Sequence, residues 1–407
     1  MTEERLGKKN SFLKFIAVSF AACLVFAIMQ GVHDNYGIMM KALVNTSGLS
    51  YQDISLIIGI GAFLYGLIQA FWGAVALRYS NGTVMLIGAF LMALGLIATP
   101  FCHSFFTMLI FFGIILPSGT GALGSGIIMG AITPVIGEKR AAGIVGILQA
   151  SAGIGDAIMS PSLQALISWK SINFGMGSFG VLTVIIIPVI IWISILSRKE
   201  NKKKEESAEE KLTFITVFKE GFKDPLYRRI VIGFSTCGFN MSIIESHLFS
   251  QYVSWGIPES KSSFIMTIYG ILTMIGALLT GFLCTKMKKN IVLGSVYFTR
   301  VLISIAMLTL KPSLGFAIIA TGLLGMSGDS TVPPTMGLIT GRFGAKRLAV
   351  LYGIALTGHQ IGAFFSSWFG GYCYTNFGNY NLLWMVNILL ALTASIASWS
   401  IKEKSQA

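Results

Sequence analysis

One segment of this chain occurs twice. Residues 129–155 read MGAITPVIGEKRAAGIVGILQASAGIG and residues 336–362 read MGLITGRFGAKRLAVLYGIALTGHQIG, an ungapped match at an offset of 207 with 12 of 27 positions identical. A repeat displaced by about half of 407 residues implies two copies of one fold unit. Each copy sets a short Gly-Lys-Arg turn between long apolar runs, which points to a membrane protein of two related halves. A second match extends the repeat: at an offset of 208, Ser55, Ile57, Leu64, Gly73 and Val84 meet Ser263, Ile265, Leu272, Gly281 and Val292.

Apolar residues make up 54% of the chain and charged residues 12%, against roughly 25% charged in soluble proteins. A helix crosses a bilayer with about 20 residues, and the apolar runs predict twelve crossings. The first six are 12–40, 53–77, 84–101, 105–133, 142–167 and 173–196. The second six are 228–253, 261–285, 291–310, 313–340, 348–372 and 379–400. Between them lies a charged linker, so the chain divides into an N-terminal bundle (1–196), a linker (197–226) read as a solvated charge run, and a C-terminal bundle (227–407). With both termini cytoplasmic, 25 Lys and Arg fall in cytoplasmic segments or the adjoining span ends, 4 at the outer side, and Arg300 alone deep within a span; this bias sets both termini on the cytoplasmic side of the cytoplasmic membrane. The net charge of +13 is scattered over many short segments, so it reads as a topogenic signal and an attraction to the lipid bilayer, with no nucleic-acid partner. The first apolar run is too long for a signal peptide core and reads as a retained span. Five Cys lack CxxC or ligand-like spacing, so neither a disulfide nor a metal site is expected, and no cofactor is called for.

Twelve spans in two repeats around a central linker resemble the major facilitator superfamily over essentially the whole chain. The loop after span 2 in that family carries G-x-x-x-D-R-x-G-x-[RK]-[RK]; here Gly73 and Arg78 match, while Leu77 replaces the Asp, Ser80 the second Gly, and Gly82-Thr83 the basic pair. Three stretches are similar to the bacterial monocarboxylate-transporter-like and oxalate/formate-antiporter-like branch. They are Gly31 to Tyr36-Gly37, the Gly-rich fourth span followed by Lys139-Arg140-Ala-Ala-Gly143, and GHQIGAFFSSWFGG with TNFGNY in span 11. The pattern departs at the sites of monocarboxylate carriers: Asp34 stands where they carry a substrate-binding Lys, and Thr273 and Ala277 where they carry an Asp and an Arg. The resemblance implies an all-α fold of twelve transmembrane helices in two pseudo-symmetric six-helix bundles. It also implies that spans 1, 4, 7 and 10 line a central cavity, flanked by 2, 5, 8 and 11.

A charge within lipid is costly, so intramembrane ionisable groups are candidates for function. Eight stand out: His33, Asp34, Asp156, Glu245, His247, Arg300, Asp329 and His359. All but Arg300 fall on the lining or flanking spans. Asp34 is the first proton-coupling candidate, since an apolar surround favours the protonated carboxyl; alternatively it caps a break in span 1. Glu245 and His247, in the corresponding part of span 7, are further proton-coupling candidates, or residents of a watery outer vestibule. Candidate substrate contacts are Tyr36, Arg300, Asp329, His359 and Gln360. Arg300 reads either as a cation for an anionic substrate or as a structural partner for a carboxylate such as Asp329. Asp329 precedes Pro333-Pro334, where lost backbone donors bend a helix around a site. His359-Gln360 replace Ala152-Gly153 of the first copy, putting two hydrogen-bonding groups in one half only.

No GxSxG, HExxH or GxxxxGK[ST] occurs, which removes the usual hydrolase, zinc-protease and ATP-driven readings; the chain is not expected to be an enzyme. The expected function is secondary active transport of a small polar solute, an organic anion by the branch resemblance, driven by a proton or a counter-solute in a monomer. Proton-driven efflux of cationic or amphipathic drugs is the alternative. A non-transporting membrane sensor is the rival from another class.

Overall fold

The computed structural model describes residues 3–201 and 214–403; the central part of the expected linker lies outside the described residues. Among these residues the chain is helical, and its helices form twelve membrane-length passages. Nine are long and apolar enough to cross a bilayer by length and composition alone. Of the other three, span 7 (Pro225–Ser242, Ile243–Leu248 and Phe249–Ser254) and span 10 (Leu314–Ser327 and Val332–Phe343) are interrupted, and span 11 (Ala345–Phe377) carries the polar Thr357–Gln360 stretch.

Local signals start and stop the helices. Ser50 accepts from the Asp53 amide while the Asp53 carboxylate accepts from the Ser50 amide at 3.2 Å, a reciprocal cap that opens span 2 (Tyr51–Arg78). Asp224 caps span 7 ahead of Pro225, whose missing donor costs nothing in a first turn. The conserved glycines of the repeat have a shared task. Gly137 (φ 85°) and Gly344 (φ 82°) turn the chain by themselves from span 4 into span 5 (Glu138–Trp169) and from span 10 into span 11. A positive φ favours glycine, so this position survives in both copies.

Irregularity is concentrated in spans 1, 4, 7 and 10. Span 1, expected as 12–40, is instead two helices, Glu3–His33 and Tyr36–Ser47, hinged at Asp34-Asn35. Span 4 holds a π-helical segment, Leu109–Ile115, and a break between Ala122 and Ser125; span 7 holds a second π segment, Ile243–Leu248; span 10 breaks at Gly328. Breaks at membrane depth are tolerated where they line a cavity or are buried in protein. The apolar core follows the repeat: one cluster draws on residues from Val18 to Ile193 with Phe249, and two others lie between Val217 and Ile401. The halves meet along two helix pairs, span 2 with span 11 and span 5 with span 8 (Glu259–Lys286).

Candidate functional site

The four irregular spans and their flanking partners enclose a cavity of about 170 Å³. Asp34 and Glu245, in the span 1 hinge and the span 7 π segment, face it, as do Asp329 at the break of span 10 and His359-Gln360 of span 11. Asp156, His33 and Thr273 line it too. Four carboxylates therefore share one small space, and no Lys or Arg joins them among the described residues.

The carboxylates differ in their partners. Asp34 accepts from Gln30 Nε2 at 2.7 Å, one helical turn back. Asp156 Oδ1 lies 3.1 Å from Asn35 Nδ2 and 3.0 Å from Ser160 Oγ, which pins span 5 to the hinge of span 1. His33 stacks on Tyr65 with ring centroids 4.3 Å apart, and the His359 ring lies 5.1 Å from Phe234.

Three expected site residues do not line this cavity. Arg300 of span 9 (Lys289–Thr309) is wholly buried and points at the break of span 10: its Nη2 donates to the carbonyls of Ser327 at 2.5 Å and Gly328 at 2.8 Å, its Nη1 to Cys237 Sγ at 3.1 Å. Expected as a substrate cation or a partner for Asp329, it instead serves the carbonyls freed where the helix stops. Tyr36 packs edge-on against Phe112 and against His33, which itself lines the cavity. His247 is fully buried between Tyr51 Oη, 3.0 Å from Nδ1, and the Ser367 carbonyl, 3.0 Å from Nε2. Residues two apart in a helical segment, α or π, point to roughly opposite sides, so Glu245 faces the cavity while His247 faces span 11.

Neutral polar residues were the larger omission. Gln30, Gln69 and Gln149 line the cavity together with Tyr65, Tyr269 and Tyr352. The sequence signal for the glutamines was available: each is an amide inside an apolar run, where polar groups are expensive. The tyrosines gave no such signal.

The cavity is shut at one end. At the end away from the Gly-Lys-Arg turns, Lys41 Nζ lies 2.7 Å from Glu259 Oε1, and Gln164 donates to Glu259 Oε2 at 3.0 Å, joining spans 1 and 5 to span 8. Tyr51 bonds Tyr380 at 2.7 Å as well as His247. A Cβ at Gly59 would sit 2.9 Å from the Phe364 carbonyl of span 11, and one at Gly153 would overlap the Gly270 carbonyl of span 8. Toward the turns the same helix pairs separate: a Cβ at Gly73, Gly146, Gly281 or Gly353 would meet nothing within 4 Å. These four are two repeat pairs, Gly73 with Gly281 and Gly146 with Gly353.

The closed end gives a first expected outcome. Glu259 is 44% exposed, and an exposed ion pair contributes less than about 1 kcal/mol. Glu259→Ala is therefore expected to leave the melting temperature nearly unchanged but to raise the alkylation rate of a cysteine introduced at the buried Ile38, which lies beside Lys41 and Glu259. Equal rates in both proteins would mean the Glu259 ties do not hold this end shut.

Comparisons with known proteins agree with this architecture. The family model described as Major Facilitator Superfamily matches residues 15–254 and again 248–406. The chain is 23% identical over 411 residues to the uncharacterized MFS-type transporter YcxA of Bacillus subtilis (strain 168), covering 94% of each protein. It superimposes on the crystal structure of a D-xylose-proton symporter with a TM-score of 0.72 at 14% identity, covering 95% of this chain and 98% of that one. The transporter FucP in its outward conformation gives a TM-score of 0.61 at 15% identity, with the same coverage. A family match across both halves, twelve helical passages and a cavity at their seam together make this chain a multi-pass membrane transporter of the Major Facilitator Superfamily.

Proposed function

We propose that this protein is a proton-coupled secondary transporter of a small polar solute that is neutral or cationic. Two bundles, 1–196 and 227–407, joined by the linker 197–226, rock about the central cavity in a single chain. The 25-to-4 distribution of Lys and Arg supports cytoplasmic termini and Gly-Lys-Arg turns in the cytoplasmic membrane, with the cavity open inward. Asp34 and Glu245 carry the proton. Asp329, His359 and Gln360 contact the solute, while Arg300 and His247 hold the framework behind them.

The observation that carries this reading is the lining: four carboxylates and several amides and phenols, with no Lys or Arg among the described residues. Such a surface offers hydrogen bonds to hydroxyls and attraction to an ammonium, and repels a carboxylate. The volume, about 170 Å³, falls below the roughly 300 Å³ where pockets for drug-sized ligands begin, which disfavours efflux of bulky drugs. A second reading, transport of a small organic anion, draws support from the span 11 resemblance and from the two imidazoles, His33 and His359, that face the cavity.

The test is full-length protein in liposomes enclosing a pH-sensitive dye, challenged with sugars, amino acids, quaternary amines and small carboxylates. A neutral or cationic compound is expected to drive proton movement that Glu245→Gln abolishes. Movement with carboxylates alone would replace this reading by the second one. No proton movement with any compound would remove the proton coupling proposed here.

A further inference from the structure

The cluster of Asp156, Asn35 and Ser160 is built so that one proton changes the hydrogen bonding of the span 1 hinge. Asn35 Nδ2 donates to the Gly31 carbonyl at 2.7 Å, which fixes the amide's orientation, and its second N–H faces Asp156 Oδ1 at 3.1 Å. Ser160 Oγ stands 2.6 Å from Asn35 Oδ1 and 3.0 Å from Asp156 Oδ1. The hydroxyl has one proton and two acceptors within reach, so it can serve only one at a time.

Two states follow. With Asp156 protonated on Oδ1, the acid donates to Ser160 Oγ, Ser160 donates to Asn35 Oδ1, and Asn35 Nδ2 donates to Asp156 Oδ1, a closed ring of three bonds. With Asp156 ionised, Ser160 turns its proton to the carboxylate, and Asn35 Oδ1 loses its donor. Asn35 is 2% exposed, so its orphaned carbonyl has little water to turn to, and buried unpaired acceptors are costly. Loss of the proton therefore falls on the residue at the junction of the two span 1 helices, beside Asp34.

We propose that Asp156 is a proton-coupling residue of this transporter, and that Ser160 and Asn35 relay its protonation to the hinge of span 1. Its premise is the proton-coupled transport already proposed. The proton enters from water through the cavity, which Asp156 lines, and leaves by the same route; within the ring the Ser160 O–H only reorients, so no other proton is gained or lost. The charged and titratable groups that line the cavity with Asp156 are His33 and Asp34 of span 1, Tyr65 of span 2, Glu245 of span 7, Tyr269 of span 8, Asp329 of span 10, and Tyr352 and His359 of span 11. Nearer the closed end, Lys41 of span 1 is paired with Glu259 of span 8.

Infrared difference spectra of full-length protein in liposomes, taken between acid and alkaline pH with no solute, report the carbonyl stretch of protonated acids. Asp156→Asn is expected to remove one such band. Ser160→Ala, a smaller change that keeps the fold available, should raise that band's frequency through loss of a hydrogen-bond partner. A spectrum unchanged in Asp156→Asn, or a band whose frequency Ser160→Ala leaves in place, would overturn the ring. The same samples challenged with the solute panel separate the two levels. Proton movement in the wild type that Asp156→Asn retains, with the same pH profile, overturns the role of Asp156 alone. Absence of proton movement in the wild type removes the proton-coupled reading and this role with it.

Discussion

Replacing Arg300 with alanine is expected to lower the melting temperature of the detergent-solubilised protein while leaving the amount inserted in the membrane undiminished. The two effects have opposite signs at two stages. Insertion of span 9 becomes easier, since an Arg at mid-span costs about 2.5–3.5 kcal/mol on insertion scales. Packing becomes worse, because the Ser327 and Gly328 carbonyls and Cys237 lose the donor they share. An orphaned buried acceptor costs about 1–3 kcal/mol, though polar contacts between membrane helices run lower, near 0.6–1.7 kcal/mol; two carbonyls make the loss on the order of 2–3 kcal/mol. Arg300→Lys, a point charge without the planar fork, should recover part of it. Thermal unfolding followed by dye labelling of buried cysteines measures this directly. An unchanged melting temperature in Arg300→Ala would mean that the break of span 10 holds without its clamp.

Gly238→Ala is expected to be more damaging than its size suggests. A Cβ on Gly238 overlaps the backbone carbonyl of His359, with further contacts to that residue's C and Cα, so span 7 is too close to span 11 to admit a methyl group. A flexible side chain would give way, but a helix backbone does not. Overpacking of this kind costs typically 1–3 kcal/mol and sometimes more, against which better helix propensity returns only about 1 kcal/mol. The same substitution at Gly353, whose Cβ would stand in open space, carries the propensity gain without the clash. Melting curves of the two variants should thus move in opposite directions. A Gly238→Ala protein as stable as wild type would contradict the close approach of spans 7 and 11.

Much of this architecture is legible in the chain. Crossings follow from runs of about 20 apolar residues, and the repeat sets their grouping. The break of span 10 is announced by Gly328 and Pro333-Pro334. The π segments, Leu109–Ile115 and Ile243–Leu248, carry no such mark, because an extra residue in a helical turn is selected by packing against neighbours. The same irregularities decide which side chains face the cavity. Depth in the membrane is read from position along a run, and the ionisable residues were all assigned to the correct spans. Direction around the helix requires an unbroken 100° step, which the hinge at Asp34-Asn35 and the π segment at Glu245 disturb. Hence Asp34, Glu245, Asp329, His359 and Gln360 meet at the cavity, while Tyr36, His247 and Arg300 turn to other neighbours. Asn35 and Ser160 were invisible as a unit, since 125 residues separate them and only the fold makes them partners.

The vacant surroundings of Gly73, Gly146, Gly281 and Gly353 offer an experimental handle. Large side chains installed at these positions would act as doorstops: harmless in the present arrangement, yet obstructive to any pose that brings the inner halves of spans 2 and 11, or 5 and 8, together. Such variants would be arrested on one side of the transport cycle and suited to trapping a bound solute for identification.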